Sequence, residues 1–155
     1  MVEIERKFLV NSDNFKRQAF ARHRIVQGYL SADPDRSVRV RVQGKKAYLT
    51  IKDSGVKNSF SRFEWEKELP IEEANELMKL CLPNKIEKTR YKVNYKTGLF
   101  EVDIFKGVNV GLKIAEIELD SEADTFEKPK WLGEEVTGIK KYYNSHLCQN
   151  PFTKW

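Results

Sequence analysis

Carboxylates and cations recur along this chain at a spacing of two. Glu3 and Glu5, Glu64 and Glu66, Glu101 and Asp103, and Glu116 and Glu118 are acid pairs at i and i+2. Arg39 with Arg41, and Lys88 with Arg90, are cation pairs on the same rhythm, and Lys7, Lys52 and Arg62 stand at matching places. In an extended strand such pairs share one face, about 7 Å apart. Apolar residues such as Ile4, Val40, Trp65, Val102 and Ile117 fall between them. A half-solvated sheet accounts for any one of these strands. It accounts poorly for the set, because neighbouring like charges are unfavourable unless opposite charge lies between them. Two carboxylates ~4 Å apart repel by about 4 kcal/mol at an effective dielectric near 20, and one then tends to bind a proton. A divalent cation removes that conflict, and oxygen-only donors select Mg²⁺ or Mn²⁺ rather than zinc. Arginine pairs suit forked contacts with phosphate oxygens. Together the two sets predict a short linear polyphosphate held by cations and metal.

These residues need strands to aim them. EIERKFLV, RIVQGYLSA, SVRVRVQ, AYLTIKD, FSRFEWEKELP, KIEKTRYKVNY, GLFEVDIF and GLKIAEIELD all alternate. Hairpins are expected around Gly44 and Lys45 and between KIEKTRYKVNY and GLFEVDIF. Helices are expected at FKRQAF, at Ile71 to Leu80 with apolar residues at 74, 77, 78 and 81, and at Ile139 to Leu147. The stretch holding Ala123, Phe126 and Trp131 reads as a short helix or turn. About eight antiparallel strands are best closed into a barrel, which removes exposed edges. The expected fold is mainly β: a closed eight-stranded tunnel with its ionic faces inward, its apolar faces under a few outer helices, and all 155 residues in one domain.

Bulk properties narrow the function classes. The chain has 28 Lys and Arg against 23 Asp and Glu, a net charge of +5, which favours an anionic partner. Only two histidines and two distant cysteines, Cys81 and Cys148, are present, so zinc and histidine-based nucleophilic constellations find no support. No apolar run suits a membrane, and a cytoplasmic protein is expected. Repeated acid pairs argue against a nucleic-acid surface, which usually shows a cationic stripe with interleaved aromatics. Oligomeric state is left open between monomer and homodimer. GVNVGLK at 107–113 has the wrong glycine spacing for a phosphate loop and reads as a turn.

The ordered motifs resemble a known family. Glu3-Ile4-Glu5-Arg6-Lys7 is similar to the ExExK signature of the CYTH domain, or triphosphate tunnel metalloenzymes. GYL at Tyr29, the Arg39/Arg41 pair, LTIK with Lys52, RFEWE at Arg62 to Glu66, EKTRY with Lys88 and Arg90, EVD and EIE follow in the family's order. ERKFLV, QGYL, EKTRY and WLGEEVT are most similar to the compact bacterial members, which hydrolyse inorganic triphosphate to pyrophosphate and phosphate. The resemblance implies Lys7, Arg39, Arg41, Lys52, Arg62, Lys88 and Arg90 as substrate-binding residues. It implies Glu3, Glu5, Glu64, Glu66, Glu101, Asp103, Glu116 and Glu118 as the metal-binding acids, foremost Glu3, Glu5, Glu116 and Glu118. Glu5, Lys7, Tyr29, Lys52, Lys88 and Arg90 form the implied catalytic set, with metal-activated water attacking a terminal phosphoryl group. A C-terminal helix near one mouth is implied, at Lys140, Lys141 and Tyr142. Thiamine triphosphatase, nucleoside or RNA 5′-triphosphatase, adenylate cyclase and a non-catalytic polyphosphate-binding module are the alternatives.

Overall fold

Period-two alternation builds nine strands in the computed structural model, which describes residues 2–55, 57 and 59–155. They are β1 Val2–Val10, β2 Ala19–Ser31, β3 Ser37–Gln43, β4 Lys46–Lys52, β5 Ser61–Leu69, β6 Ile86–Tyr95, β7 Gly98–Phe105, β8 Lys113–Glu118 and β9 Leu132–Glu135. Three helices accompany them: α1 Phe15–Gln18, α2 Ile71–Lys79 and α3 Asn144–Leu147. The sheet runs β5-β4-β3-β2-β6-β7-β8-β1-β9, and a further β5–β1 pairing closes the first eight strands into a barrel. Every ladder is antiparallel. Closure splits β1 between partners. Glu5 to Leu9 pair with β8, while Val2 to Ile4 pair with β5 along the other edge. Farther along that edge β9 takes over, pairing Phe8 with Glu135 and Val10 with Leu132.

The stretch before β9 takes the turn of its helix-or-turn expectation: it runs from Leu119 to Trp131 as turns and irregular chain and ends in a ninth strand beyond the eight expected. Its aromatics form a lid over the outer core: Phe126 meets Phe8 and Phe100 edge-on, and Trp131 meets Phe15 and Phe100. The C-terminal helix is shorter than its sequence pattern. Lys140–Tyr142 is a 3-10 turn, and only Asn144–Leu147 is α-helical. The first helix likewise stops at Gln18, where β2 begins.

The barrel's outward faces are covered in two places. Phe8, Phe15, Val93, Phe100, Val102 and Trp131 make one fully buried cluster under α1 and the 119–131 segment. Each such aromatic or aliphatic side chain contributes roughly 1.5–3 kcal/mol by leaving water. The second lies under α2, whose Ala74, Leu77 and Met78, with Cys81 just beyond, pack on Val40 and Ala47 as the spacing predicts. Acids in the first turn of α2 and Lys79 in its last suit the helix dipole. Gly28 permits this packing, since a Cβ there would sit 2.8 Å from Cys81 Cβ. Gly44 makes the two-residue β3–β4 turn with φ +61°, a left-handed conformation that side chains disfavour. The GVNVGLK stretch is a 3-10 turn at Gly107–Asn109 leading into β8. Among the described residues, no helix is long and apolar enough to cross a membrane.

Candidate active site in the barrel lumen

Cross-strand register decides which inward side chains meet. Glu5 faces Glu118, Lys7 faces Glu116, Glu101 faces Glu116, Arg90 faces Asp103, Arg39 faces Thr50, and Lys52 faces Glu64. The strand order then sorts them by sign. The adjacent strands β3, β2 and β6 carry Arg39, Arg41, Lys88 and Arg90; β7, β8 and β1 carry Glu101, Asp103, Glu116, Glu118, Glu3 and Glu5. Between these arcs, β4 and β5 supply Lys52, Arg62, Glu64 and Glu66. The lumen so formed has a volume of about 400 Å³. Every sequence-predicted site residue except Asp103 lines it.

One end of the lumen is blind. Leu9, Ile86, Phe105 and Ile114 continue the inward-facing positions past the ionic ones, and they pack against Val136, Leu147 and Cys148. Toward the other end lie Lys92 and the exposed Glu66 and Glu118. The C-terminal segment enters at the blind end, but not through Lys140, Lys141 and Tyr142. Tyr143, Asn144 and Ser145 line the cavity instead. Tyr143 presents its ring 5.4 Å from Lys7 Nζ and 5.7 Å from the Arg62 guanidinium. Spacing alone puts Thr50 on the inward face with Tyr48 and Lys52, but no charge pattern marks it, Gln27 or Asn144 as site residues.

The ions are not equally satisfied. Lys7 donates to Glu116 at 2.6 Å and lies 3.9 Å from Glu5. Lys52 and Arg62 both reach Glu3, at 2.7 and 3.3 Å, and Arg62 also donates to Glu5 at 3.2 Å. Burial opposes ionisation of Glu3 and Glu116, but Lys52 and Arg62 for one and Lys7 for the other hold both below the usual range. Glu5 goes the opposite way. Burial and the repulsion of Glu116 push its carboxyl up to about 7. Glu118 is raised too, by burial and then by Glu3, Glu64 and Glu101. Glu5 and Glu118 face one another across β1 and β8; Glu5 shares Arg62 and Lys7 with other acids, and Glu118 forms no ion pair among the described residues.

The basic arc has the opposite deficit at Arg41. Burial and the nearby Arg39 and Arg90 bring Arg41 down to about 9. Arg41 donates through Nε to Gln27 Oε1 at 3.0 Å. Arg39 donates to Thr50 at 3.0 Å, and its buried Nε has no partner among the described residues. Lys88 is fully buried and held at about 7 by burial, with Arg90 and Arg41 adding to the effect. Asp103 sits beneath this arc at 1% exposure, accepting two hydrogen bonds from Arg90 at 2.8 and 2.9 Å and facing Lys88 Nζ at 2.7 Å. Unlike the other acids it does not line the cavity, and its oxygens orient Lys88 and Arg90 from behind. Glu66 accepts from Thr50 at 2.7 Å, and Glu101 from Arg90 at 3.3 Å.

Among the described residues Arg41 has no anionic partner and Glu118 no cationic one, an imbalance that a polyanion together with a divalent cation would offset. Among the described residues, no three acids, histidines or cysteines converge into a ready metal cluster; lysines and arginines stand between them. The donor chemistry nevertheless fits a hard cation: the acids are all-oxygen, and burial with neighbouring carboxylates works against the charged forms of Glu5 and Glu118, which added positive charge would favour. A closed antiparallel tunnel with such a divided ionic lumen defines the class of protein. The CYTH domain model matches residues 1–145, and the chain belongs to the CYTH domain family. It is 49% identical to an inorganic triphosphatase of Acetivibrio thermocellus, over 97% of this chain and 95% of that protein. It is 38% identical to an inorganic triphosphatase of Nitrosomonas europaea, over 96% of this chain and 97% of that one. The crystal structure of the inorganic triphosphatase NE1496 superposes with a TM-score of 0.68 at 34% identity, covering 94% of this chain and 97% of that one.

Proposed function

We propose that this chain is a divalent-metal-dependent hydrolase of inorganic triphosphate, yielding pyrophosphate and orthophosphate. The divided lumen carries the reading, and the activity named for the 49% and 38% identical relatives supports the substrate. Arg39, Arg41, Lys88 and Arg90 would bind phosphoryl oxygens, with Lys7, Lys52 and Arg62 reaching in from beside the acids. The lack of an anionic partner for Arg41 among the described residues favours a compact, highly charged ligand over a neutral one. Glu3, Glu5, Glu116 and Glu118 would hold Mg²⁺ or Mn²⁺, with Glu64, Glu66 and Glu101 close by. When bound, the cation supplies charge neutralisation and acidifies a water molecule.

The protein's own groups do the rest. The basic arc aligns the terminal phosphorus and spreads the charge that grows on the transferring group and on the leaving pyrophosphate. Asp103 holds the Lys88 and Arg90 heads in place. Water adds to the terminal phosphorus, the bridging P–O bond breaks toward pyrophosphate, and a carboxylate of the acidic arc accepts the proton. Tyr29, 5% exposed and raised in pKa by burial, stays neutral beside Arg39, its cross-strand partner. Free Cys81 and Cys148 suit a reducing cytoplasm.

The test is phosphate release from tripolyphosphate, ATP and thiamine triphosphate with Mg²⁺ or Mn²⁺, scored beside cyclic AMP formation. Tripolyphosphate turnover abolished by a chelator and restored by the metal is expected. Metal-independent turnover, or cyclic AMP as the main product, would refute the assignment.

A further inference from the structure

Among the described residues, Asn144 is the one uncharged side chain that the C-terminal segment hydrogen-bonds to the basic arc. Its Oδ1 accepts from Lys88 Nζ at 3.1 Å and from Gln27 Nε2 at 3.2 Å. Gln27 Oε1 in turn accepts from Arg41 Nε at 3.0 Å. Arginine and lysine can only donate, so the direction of this chain is set at both ends. It forces the Asn144 carbonyl toward Lys88 and Gln27 and leaves the two amide N–H groups over. Among the described residues, Asn144 Nδ2 donates no hydrogen bond, and Asn144 lines the cavity. Directly behind its helix is the apolar floor, where Leu147 and Cys148 pack on Ile86, Phe105 and Ile114.

We propose that Asn144 is a specificity-determining residue: it is the end-wall of the lumen, and its free amide donor receives the buried terminal phosphoryl group, so setting how deep the polyphosphate chain seats. This rests on the polyphosphate reading above and assigns one end of that ligand to one side chain. A neutral donor is the chemically suitable wall. It adds a hydrogen bond to an anionic oxygen while its carbonyl keeps Lys88 in position, and it brings no second carboxylate beside Lys88, which already pairs with Asp103. Past it the lining turns apolar, which a charged phosphoryl group cannot enter without losing solvation. An internal phosphoryl unit has no free end to meet that wall. Depth therefore fixes which P–O–P bond lies beside the acidic arc.

Two measurements on the full-length chain test this. Tripolyphosphate affinity is measured by calorimetry without metal, for wild type, Asn144→Ala and Asn144→Asp. Initial products from tetrapolyphosphate are resolved by ion chromatography with Mg²⁺ present. The Ala variant is expected to bind about ten- to a hundredfold more weakly, the range for one hydrogen bond to a charged group. Wild type is expected to cut tetrapolyphosphate at one bond, giving a single product pair. Without the amide donor the terminal phosphoryl group is no longer held at one depth, so the chain takes a second register in the Ala variant and a second pair appears: orthophosphate plus tripolyphosphate on one side, two pyrophosphates on the other. In both cases one water adds across one P–O–P bond. The Asp variant keeps the acceptor for Lys88 and Gln27 but loses the donor. It is expected to bind at least as weakly as Ala with an unchanged melting temperature, which a purely structural role for Asn144 would not produce. Wild-type affinity in the Asp and Ala variants, or an unchanged product pair in Ala, would overturn the proposal. Tight binding by wild type with no turnover would refute the hydrolase reading instead, while the affinity comparison still decides the role of Asn144.

Discussion

Asp103→Asn removes one negative charge from beneath two buried cations and changes little else in shape. The wild-type carboxylate accepts two hydrogen bonds from Arg90, at 2.8 and 2.9 Å, and lies 2.7 Å from Lys88 Nζ, with Asp103 at 1% exposure and Lys88 at 0%. In the variant one amide end still accepts, but the NH₂ end faces donors. Breaking a buried pair by removing one partner costs about 3–5 kcal/mol, because the remaining charge stays desolvated. At roughly 2–4 °C per kcal/mol for a chain of this size, the melting temperature should fall by about 6–20 °C. Urea unfolding and calorimetry at pH 7.5 would measure it. Arg90 and Lys88 hold Asp103 below its ordinary range, though burial works against them. A depressed carboxylate contributes stability above its unfolded pKa of about 4 and loses it as pH falls through the lower folded value. The difference between wild type and variant should therefore be complete at neutral pH and shrink in strong acid. Tripolyphosphate without metal should restore part of the loss, about 2.7 kcal/mol at a hundredfold excess over Kd, since the ligand brings the missing anions. A loss under about 1 kcal/mol at neutral pH, or no response to the ligand, would refute the reasoning.

Other outcomes follow from the same network. Arg41→Ala should weaken tripolyphosphate binding by about ten- to a hundredfold with little loss of stability, because Arg41 is buried beside Arg39 and Arg90 with only Gln27 as side-chain partner among the described residues; calorimetry and thermal melting separate the two effects. Glu5→Gln should abolish most turnover in a phosphate-release assay. The raised Glu5 pKa means that the wild-type charge costs stability as pH climbs toward about 7, so the metal-free Gln variant should melt higher than wild type at pH 8 and no higher near pH 4. Phe100→Ala should cost about 3–5 kcal/mol in urea unfolding, since its buried ring is packed by Phe126 and Trp131.

Strands and their inward faces were legible because side chains alternate strictly along extended backbone. Glu3, Glu5 and Lys7 declare one face by themselves, and the same holds for Arg39 with Arg41 or Glu116 with Glu118. Helix α2 was legible for a similar reason, its apolar residues recurring at helical spacing. Short, weakly patterned elements were not. LGEE at β9 becomes a strand because β1 presents a free edge beyond β5. IKKYYNSHL breaks into a 3-10 turn and a four-residue helix because it must close the barrel's blind end.

Local sequence therefore determined which side chains share a face and what ions they could bind. Only the closed tertiary structure decided which faces meet. It brought β1 against β8 and β5, and so gathered most of the acids on one arc and Arg39, Arg41, Lys88 and Arg90 on the other. Register then assigned partners, sinking Asp103 under Arg90 and setting Glu5 opposite Glu118, two acids raised by burial and by neighbouring carboxylates. It also carried Asn144 across 117 positions of chain to Gln27. Such contacts arise from long-range closure, where no local periodicity reaches, and there an unremarkable amide becomes a wall of the site.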